Sequence, residues 1–191
     1  MMQSHLLLFC FFFNTPCGCA VRPPGRPEKT VRGGSEVPYL LELPVKALKV
    51  CAGAEFCLIL LEDGSLFSFG SNEFGQLGRS LSSEDQLFEG YKPGLVDQSS
   101  LGGTRIVDMA AGISHFLVVL ENGDCYAAGQ NSQGQLGIGS SDTEAHSILE
   151  KIPGLSNIKQ VAAGDFTSHA LDSSGNAFSF GKFDNGSLGI P

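Results

Sequence analysis

The side chains that could carry acid–base chemistry are few in this 191-residue sequence, which has only four histidines. His115 occupies a recurrent position of the repeat described below, so we expect it to make a structural hydrogen bond within one repeat unit rather than to act in catalysis. His169 lies inside an apolar run, which predicts a half-buried side chain with a hydrogen-bond partner. His146 falls in a loop between two repeat units, where it indicates no chemistry.

Motifs for nucleophilic, phosphate-binding or metal chemistry are missing from the sequence. It contains no Gly-x-Ser-x-Gly elbow, no Walker loop and no pair of histidines at helical spacing for a metal. The six cysteines form no C-x-x-C pair and no zinc-type cluster with histidine. Three of them lie near the N-terminus and three in apolar runs: Cys10, Cys17 and Cys19, then Cys51, Cys57 and Cys125. We therefore predict a protein that is not an enzyme, needs no cofactor or metal, and folds in a reducing compartment.

Three similar loops carry polar residues. Each loop directly follows an Ala-Gly pair, and the polar residues are Glu55, Ser114 and Asp165. On the residues alone, an acid in such a loop is a solvated turn residue.

The elements that position these loops come from an internal repeat. Segments 50–78, 109–137 and 161–189 align without gaps, and the insertions between them fall where loops tolerate them. Alanine, leucine and five glycine columns match in all three copies. Because the chain has 25 glycines and no collagen-like or linker tract, we expect these glycines to form turns at strand ends. The glycines predicted to be structural are Gly53, Gly64, Gly70, Gly78, Gly112, Gly123, Gly129, Gly137, Gly164, Gly175, Gly181 and Gly189.

Each copy predicts a set of short antiparallel strands. Two apolar runs are followed by a turn such as Asp63-Gly64 or Asn122-Gly123, which favours a tight hairpin with positive φ at both residues. The returning strand alternates aromatic and small residues, which predicts one buried face. Outer strands are expected near residues 37–43, 92–96 and 147–149, where proline suits an edge.

The segments Val161-Ala162-Ala163-Gly164, Glu62-Asp63-Gly64 and 67–78 (FSFGSNEFGQLG) resemble the repeat of the regulator of chromosome condensation family. This resemblance covers residues 37–191 and implies an all-β, seven-bladed β-propeller of four-stranded antiparallel blades. The chain would hold two full blades, 49–97 and 105–152, a lone outer strand at 37–43 and an incomplete third blade. An open array of so few blades would expose apolar faces and strand edges. We therefore expect a piece of a longer propeller, and a monodisperse, cooperatively unfolding monomer would contradict this expectation.

The resemblance also implies where a partner would bind. In the family, loops like those of Glu55, Ser114 and Asp165 line one face of the propeller. In the chromosome-condensation regulator this face engages the small GTPase Ran, and acidic loop residues help to expel its nucleotide. Asp165 matches the acidic position most closely and Glu55 matches it more loosely. Two functions follow: a protein-interaction propeller, or a guanine-nucleotide exchange factor for a Ran-like GTPase.

The net charge and the N-terminal segment limit which partners and which cellular location we expect. A net charge of −8 argues against direct nucleic-acid binding and is compatible with a basic protein partner. Residues 1–36 are predicted to be an apolar leader with a Pro/Gly-rich linker; the run 6–13 is too short to span a membrane. Ala20 would suit a signal-peptidase site, although no Lys or Arg precedes the apolar run. We expect a cytoplasmic or nuclear protein, with the secretory pathway as the alternative if the leader is a signal peptide.

Overall fold

A computed structural model describes Pro38 and residues 40–82, 90–184 and 186–189 of the chain. In this part, three antiparallel sheets follow one another, and the strands of each sheet neighbour each other in chain order. The first blade contains β1 (Ala47–Ala52), β2 (Phe56–Leu61), β3 (Leu66–Gly70) and β4 (Gly94–Leu95). The second contains β5 (Ile106–Ala111), β6 (His115–Leu120), β7 (Cys125–Gln130) and β8 (Ala145–Lys151). The third contains β9 (Ile158–Ala163), β10 (Thr167–Asp172) and β11 (Ala177–Gly181), and a 3₁₀ turn at Ser99–Leu101 links the first two blades.

The two four-stranded blades and the three-stranded third blade confirm the predicted fold class. The outer strand expected at 37–43 is wrong for the residues described there, since Pro38 and 40–43 form no strand. A strand at this place needs a neighbouring strand to complete its hydrogen bonds. Leu41 and Leu43 instead pack their side chains on the outer side of the first blade.

The seams between blades hold the core. Between the first two blades, β2 and β6 bring Phe56 and Phe116 together in a tilted ring contact, with 6.4 Å between the centroids and 52° between the ring planes, within a larger apolar cluster. Between the second and third blades, Leu117 and Val119 of β6 pack against Val161, Ala170 and the partly buried Phe178 and Phe180. Alternate residues of β6 therefore serve opposite seams.

The expectation of one buried face for the returning strand is wrong for β3 and β7. Successive residues are buried in both strands, Ser68 and Phe69 in β3 and Ala127 and Ala128 in β7. All six residues of β2 and all six of β6 are buried as well. Both faces of these two blades are covered, in the first by Leu41 and Leu43 and by the second blade, and in the second by its two neighbours. One half-exposed face is found in the third blade, where Thr167, His169 and Leu171 are only half-buried.

The hairpin turns also differ from the expected type. Asp63 and Asn122 do not have positive φ, whereas the glycines that follow them do. In the first blade the Gly64 amide donates to the Leu61 carbonyl at 3.0 Å, and the Leu61 amide donates to the Ser65 carbonyl at 2.9 Å. This is a three-residue loop in which an ordinary turn is followed by a left-handed glycine. The acidic side chain fits because Asp63 Oδ1 accepts a hydrogen bond from the Ser65 amide at 2.9 Å.

Candidate partner-binding face

The three loops that follow the Ala-Gly pairs lie side by side at one end of the blades. The Ala54 amide donates to the Ile113 carbonyl at 3.3 Å, and the Ile113 amide donates to the Asp165 carbonyl at 3.2 Å. Residues 54–55, 113–114 and 165–166 thus form one continuous line, which we name the loop row. The structure brings the three candidate residues of the sequence analysis into this one surface.

The Ala-Gly glycines allow the loops to approach this closely. A Cβ on Gly53 would lie 2.5 Å from the Gly112 carbonyl oxygen, and one on Gly112 would lie 2.5 Å from the Gly164 carbonyl oxygen. None of these three glycines has a positive φ, unlike the other nine that the sequence singled out. The role of Gly53 and Gly112 is therefore close approach between blades rather than the turn conformation that the sequence pattern favoured. A Cβ on Gly164 would meet the Thr167 side chain of its own blade.

The loops that follow the third strand of each blade support the loop row. Their first amides donate to carbonyls of the row: Ser71 to Glu55 at 2.8 Å, Gln130 to Ser114 at 2.8 Å, and Lys182 to Phe166 at 2.9 Å. Backbone hydrogen bonds thus fix the row on both sides. Its side chains are left to project from a rigid frame.

Buried amides brace these supporting loops, and the sequence analysis did not recognise them. The Leu77 amide donates to Asn72 Oδ1 at 2.9 Å, and the Leu136 amide donates to Asn131 Oδ1 at 3.3 Å. Gln76 and Gln135 accept in the same way from the amide two residues earlier, at 2.8 Å in both blades. The signal was present, because Asn-x-x-Gly-Gln-Leu-Gly occurs twice. In the third copy Phe183 and Ser187 occupy the two amide positions.

The three candidate residues differ in exposure. Glu55 and Asp165 are exposed, whereas Ser114 is half-buried. Phe166, next to Asp165, is half-buried and has the Lys182 ammonium 5.8 Å from its ring centroid. Lys182 is also paired with Asp184 at 2.8 Å. The arrangement offers exposed carboxylates to a cationic surface.

His115 lies below the row in the seam between the second and third blades. Its Nε2 is 2.9 Å from Ser168 Oγ, and Ser168 Oγ donates to the Gln135 carbonyl at 2.6 Å. Because the serine proton goes to Gln135, His115 must donate from Nε2. The predicted hydrogen bond within one repeat unit is therefore wrong: the bond joins two blades. Burial lowers the pKa of His115 to about 4, so the ring is neutral and inaccessible for catalysis near pH 7.

The other two histidines are also held by neighbours. His169 Nδ1 is 2.8 Å from Ser179 Oγ across the half-exposed face of the third blade. His146 was expected in a loop, but it lies on β8, because that strand begins two residues before the predicted outer run. Both of its ring nitrogens face carboxylates.

An ionic link at the inner strands joins all three blades and was not recognised from the sequence. Asp108 on β5 accepts from the Lys49 ammonium of β1 through Oδ1. Its Oδ2 accepts from the Val161 amide of β9 at 2.9 Å. One carboxylate therefore connects the first strands of three consecutive blades.

Metal ligands and thiols are two further kinds of group that could carry chemistry. Among the described residues, no three or more His, Cys, Asp or Glu side chains are placed to hold a metal ion. Cys57 is buried. Cys51 and Cys125 form no disulfide, and burial raises the pKa of both to about 12, so both are protonated thiols. No helix in the described ranges is long and apolar enough to cross a membrane. Cys10, Cys17 and Cys19 and the predicted leader and linker (1–36) lie outside those ranges.

Comparison with protein families decides what these repeats are. A family model for the regulator of chromosome condensation (RCC1) repeat matches residues 63–119 and 122–171. A second model of the same description matches residues 48–76 and 106–135. The chain belongs to the RCC1-repeat family.

Related RCC1-repeat sequences occur in much longer proteins. The chain is 35% identical over 144 residues to the X-linked retinitis pigmentosa GTPase regulator of Canis lupus familiaris, an alignment that covers 72% of this chain and 13% of that protein. It is 35% identical over 147 residues to the protein RCC2 homolog of Xenopus laevis, covering 76% of this chain and 27% of that protein. The chain thus spans well under a third of each of these relatives.

Solved structures agree with the RCC1-repeat fold. Yeast RCC1 (Prp20), from its complex with Kap60, matches with a TM-score of 0.69 and 27% identity, over 81% of this chain and 36% of that chain. Human WBSCR16 matches with the same TM-score at 20% identity, over 81% of this chain and 38% of that chain. The second likeness shows the shared fold alone.

Proposed function

We propose that the chain is part of a protein-interaction β-propeller that receives its partner on the loop row. The observation that carries this proposal is the hydrogen-bonded continuity of the row, from Ala54 through Ile113 to Asp165. A rigid surface loses little conformational freedom when a partner binds, which favours affinity. The exposed carboxylates of Glu55 and Asp165 suit a partner with a basic surface. The protonated, unbridged thiols of Cys51 and Cys125 support a cytoplasmic or nuclear location.

Site-specific photo-crosslinking tests whether the loop row is the binding surface. A photoreactive residue in place of Ser114 is compared with one in place of Glu121, which is exposed in the β6–β7 hairpin at the opposite end of the same blade. We expect one dominant crosslinked protein from position 114, and its loss when Glu55 and Asp165 are both changed to alanine. Equal crosslinking from both positions, or none from position 114, would contradict the proposal.

A guanine-nucleotide exchange factor for a Ran-like small GTPase is the second candidate. It is favoured by the exposure of Asp165 at the end of the row and by the resemblance of this position to an acidic family residue. One relative is named a GTPase regulator, and a solved yeast relative was described together with its binding to Gsp1p and histones. An exposed carboxylate can stabilise a nucleotide-free GTPase only if it reaches the nucleotide site.

Nucleotide release from a panel of small GTPases, including Ran, distinguishes the two functions. The test uses the complete protein that contains this chain. An exchange factor would accelerate release, and Asp165→Ala would lower the acceleration by about tenfold, as for loss of a well-placed charged contact. Glu121→Ala, the matched exposed acid at the other end, would leave it unchanged. If nucleotide release were accelerated from none of the GTPases, the protein-interaction propeller would be favoured over the exchange factor.

A further inference from the structure

His146 lies between two carboxylates on the outermost strand of the second blade. Its Nε2 is 2.9 Å from Asp142 Oδ1, and its Nδ1 is 2.5 Å from Glu150 Oε1. A neutral imidazole can donate only one hydrogen bond, so donation to both carboxylates requires the imidazolium. The geometry therefore describes a cation held by two anions.

Asp142 extends this contact into the loop that precedes β8. Its carboxylate accepts from Asn131 Nδ2 at 3.2 Å and from the Glu144 amide at 3.1 Å. Asn131 in turn donates to the Ser140 carbonyl at 3.1 Å. The two ends of the loop 131–144 are thus joined through the same carboxylate that contacts His146.

Within the part of the chain that the structure describes, the ion pairs of Asp142 and Glu150 are with His146. On the inner side, the residue opposite His146 is Gly129 of β7. A loop of the first blade packs on the His146 backbone, where a Cβ on Gly75 would lie 2.6 Å from the His146 carbonyl carbon.

Among the described residues 71–82 of that first-blade loop, the charged side chains are Glu73 and Arg79. Arg79 Nη2 donates to the Ser68 and Lys92 carbonyls, at 3.3 and 3.0 Å. Next to His146 on β8, Ser147 Oγ is 3.5 Å from Ser80 Oγ, which is a polar contact without charge. The ion pairs that His146 makes with described residues thus lie within its own blade.

We propose that Asp142, His146 and Glu150 form a proton-dependent latch, in which the imidazolium fixes the loop 131–144 to the outer strand and loss of its proton releases the loop. After deprotonation one ring nitrogen carries a lone pair that faces a carboxylate oxygen, which is repulsive. Within the described residues β8 has a hydrogen-bonded neighbour on one side only, where Ala145 and His146 lie opposite Gln130 and Gly129 of β7, so the latch acts on an edge strand.

The titration of the groups supports this geometry. Burial lowers the pKa of His146, but hydrogen bonds and charge from Glu150 and Asp142 together outweigh it, so the pKa is raised above its usual value. The hydrogen bond from His146 is the main reason that the pKa of Asp142 is lowered. A raised histidine pKa gives stabilisation that is complete below the unfolded value and is lost as pH rises through the folded value.

The latch is independent of the proposed function, although it borders the loop row. The Gln130 amide at the start of the loop donates to the Ser114 carbonyl of the row at 2.8 Å. The closing experiment therefore measures the latch itself, by NMR and hydrogen exchange, and needs no partner protein.

The test titrates the imidazole of His146 by NMR in the full chain and measures amide protection in β8 from about pH 6 to about pH 9. We expect a His146 pKa above the ordinary value of about 6.5, and protection that falls about two- to fivefold as the ring deprotonates, the range for charge pairs near a surface. Glu150→Gln should lower the pKa of His146. His146→Gln should remove the pH dependence, whereas His169→Gln, on the third blade, should retain it. A His146 pKa at or below its ordinary value, or equal pH dependence in His146→Gln, would overturn the proposal.

Discussion

At the scale of single residues, His115 shows how one repeat position changes its chemistry from seam to seam. The first seam has Phe56 at this position and packs it against Phe116. The second seam has His115 and pairs it with Ser168. An apolar contact and a hydrogen bond thus fill equivalent places, and only the polar seam contains a group whose protonation can weaken it.

Protonation of His115 should make the protein sensitive to acid. Because the folded pKa of about 4 lies below the ordinary value of about 6.5, the stabilisation is complete above about 6.5 and is lost as pH falls toward about 4. The complete loss, reached below a pH of about 4, is on the order of 3 kcal/mol in the free energy of unfolding, and about 2 kcal/mol of it falls between pH 7 and pH 5. Urea unfolding at these two pH values measures this second figure.

His115→Gln tests whether protonation of His115 causes this acid sensitivity. It should unfold more easily at pH 7 but lose less further stability at pH 5 than the unaltered chain. His169→Gln, which removes a half-exposed histidine of the next blade, should keep the full acid sensitivity. If His115→Gln and the unaltered chain lost the same stability between the two pH values, another group would be responsible.

The sequence predicted the position of these residues better than their partners. Placing Glu55, Ser114 and Asp165 in equivalent loops required only the alignment of the repeats. The Asp108 link and the partner of His115 join residues of different repeats, and alignment of one copy on another carries no information about contacts between copies. Gln135 and Asn131 were missed because buried amides that bind backbone look, in sequence, like ordinary loop residues.

At the scale of elements, the Ala-Gly loops are where neighbouring blades come closest. A Cβ on Gly112 would overlap the buried His115 ring and lie 2.5 Å from the Gly164 carbonyl oxygen of the next blade, whereas a Cβ on Gly164 would meet the Thr167 side chain of its own blade at 2.6 Å. The same repeat position is thus crowded by a buried ring and a backbone carbonyl in one blade and by a half-buried side chain in the next. A side chain can rotate away, but a backbone carbonyl in a hydrogen-bonded row cannot.

Gly112→Ala should therefore destabilise the chain by about 1–3 kcal/mol, the range for overpacked sites, and Gly164→Ala by less than about 1 kcal/mol. Neither glycine has a positive φ, so the comparison is free of backbone strain. Thermal or urea unfolding of the two variants measures the difference. Equal destabilisation would show that the Gly164 carbonyl moves aside and that the loop row is more compliant than its hydrogen bonds indicate.

The strands themselves were predictable because their signals are local. The apolar runs between the Ala-Gly pairs and the hairpin turns mark the positions of β2, β6 and β10. The turn type was not predictable, since Asp-Gly serves both the two-residue turn and the three-residue loop. The burial of both strand faces was missed because it depends on what packs on each side of a blade, which is a property of the array.

At the scale of the whole molecule, the blades form a linear array in which each contacts its neighbours. The second blade is covered on both sides, while the third is covered on one. Stability in such an array is a sum of blade terms and seam terms, so the number of seams that a strand touches sets its protection. Asp108 adds an ionic contact that spans both seams of the second blade.

Amide hydrogen exchange should therefore be slowest in β6 and fastest in β11. All six residues of β6 are buried, whereas every residue of β11 is exposed or half-buried. We expect protection factors to differ by at least about tenfold between these strands, as for units that open separately from the global unfolding.

Two leucine-to-alanine variants distinguish the stability that comes from packing between blades from the stability within one blade. Leu117→Ala removes a fully buried side chain in the second seam and should destabilise the chain by about 2–5 kcal/mol, lowering protection in the second and third blades together. Leu171→Ala removes a half-buried leucine on the half-exposed face, so its effect should be under about 1 kcal/mol and confined to the third blade. If instead both truncations lowered protection equally in all three blades, the described residues would unfold as one cooperative unit. The seams would then transmit stability along the whole array, and the third blade would be no weaker than the second.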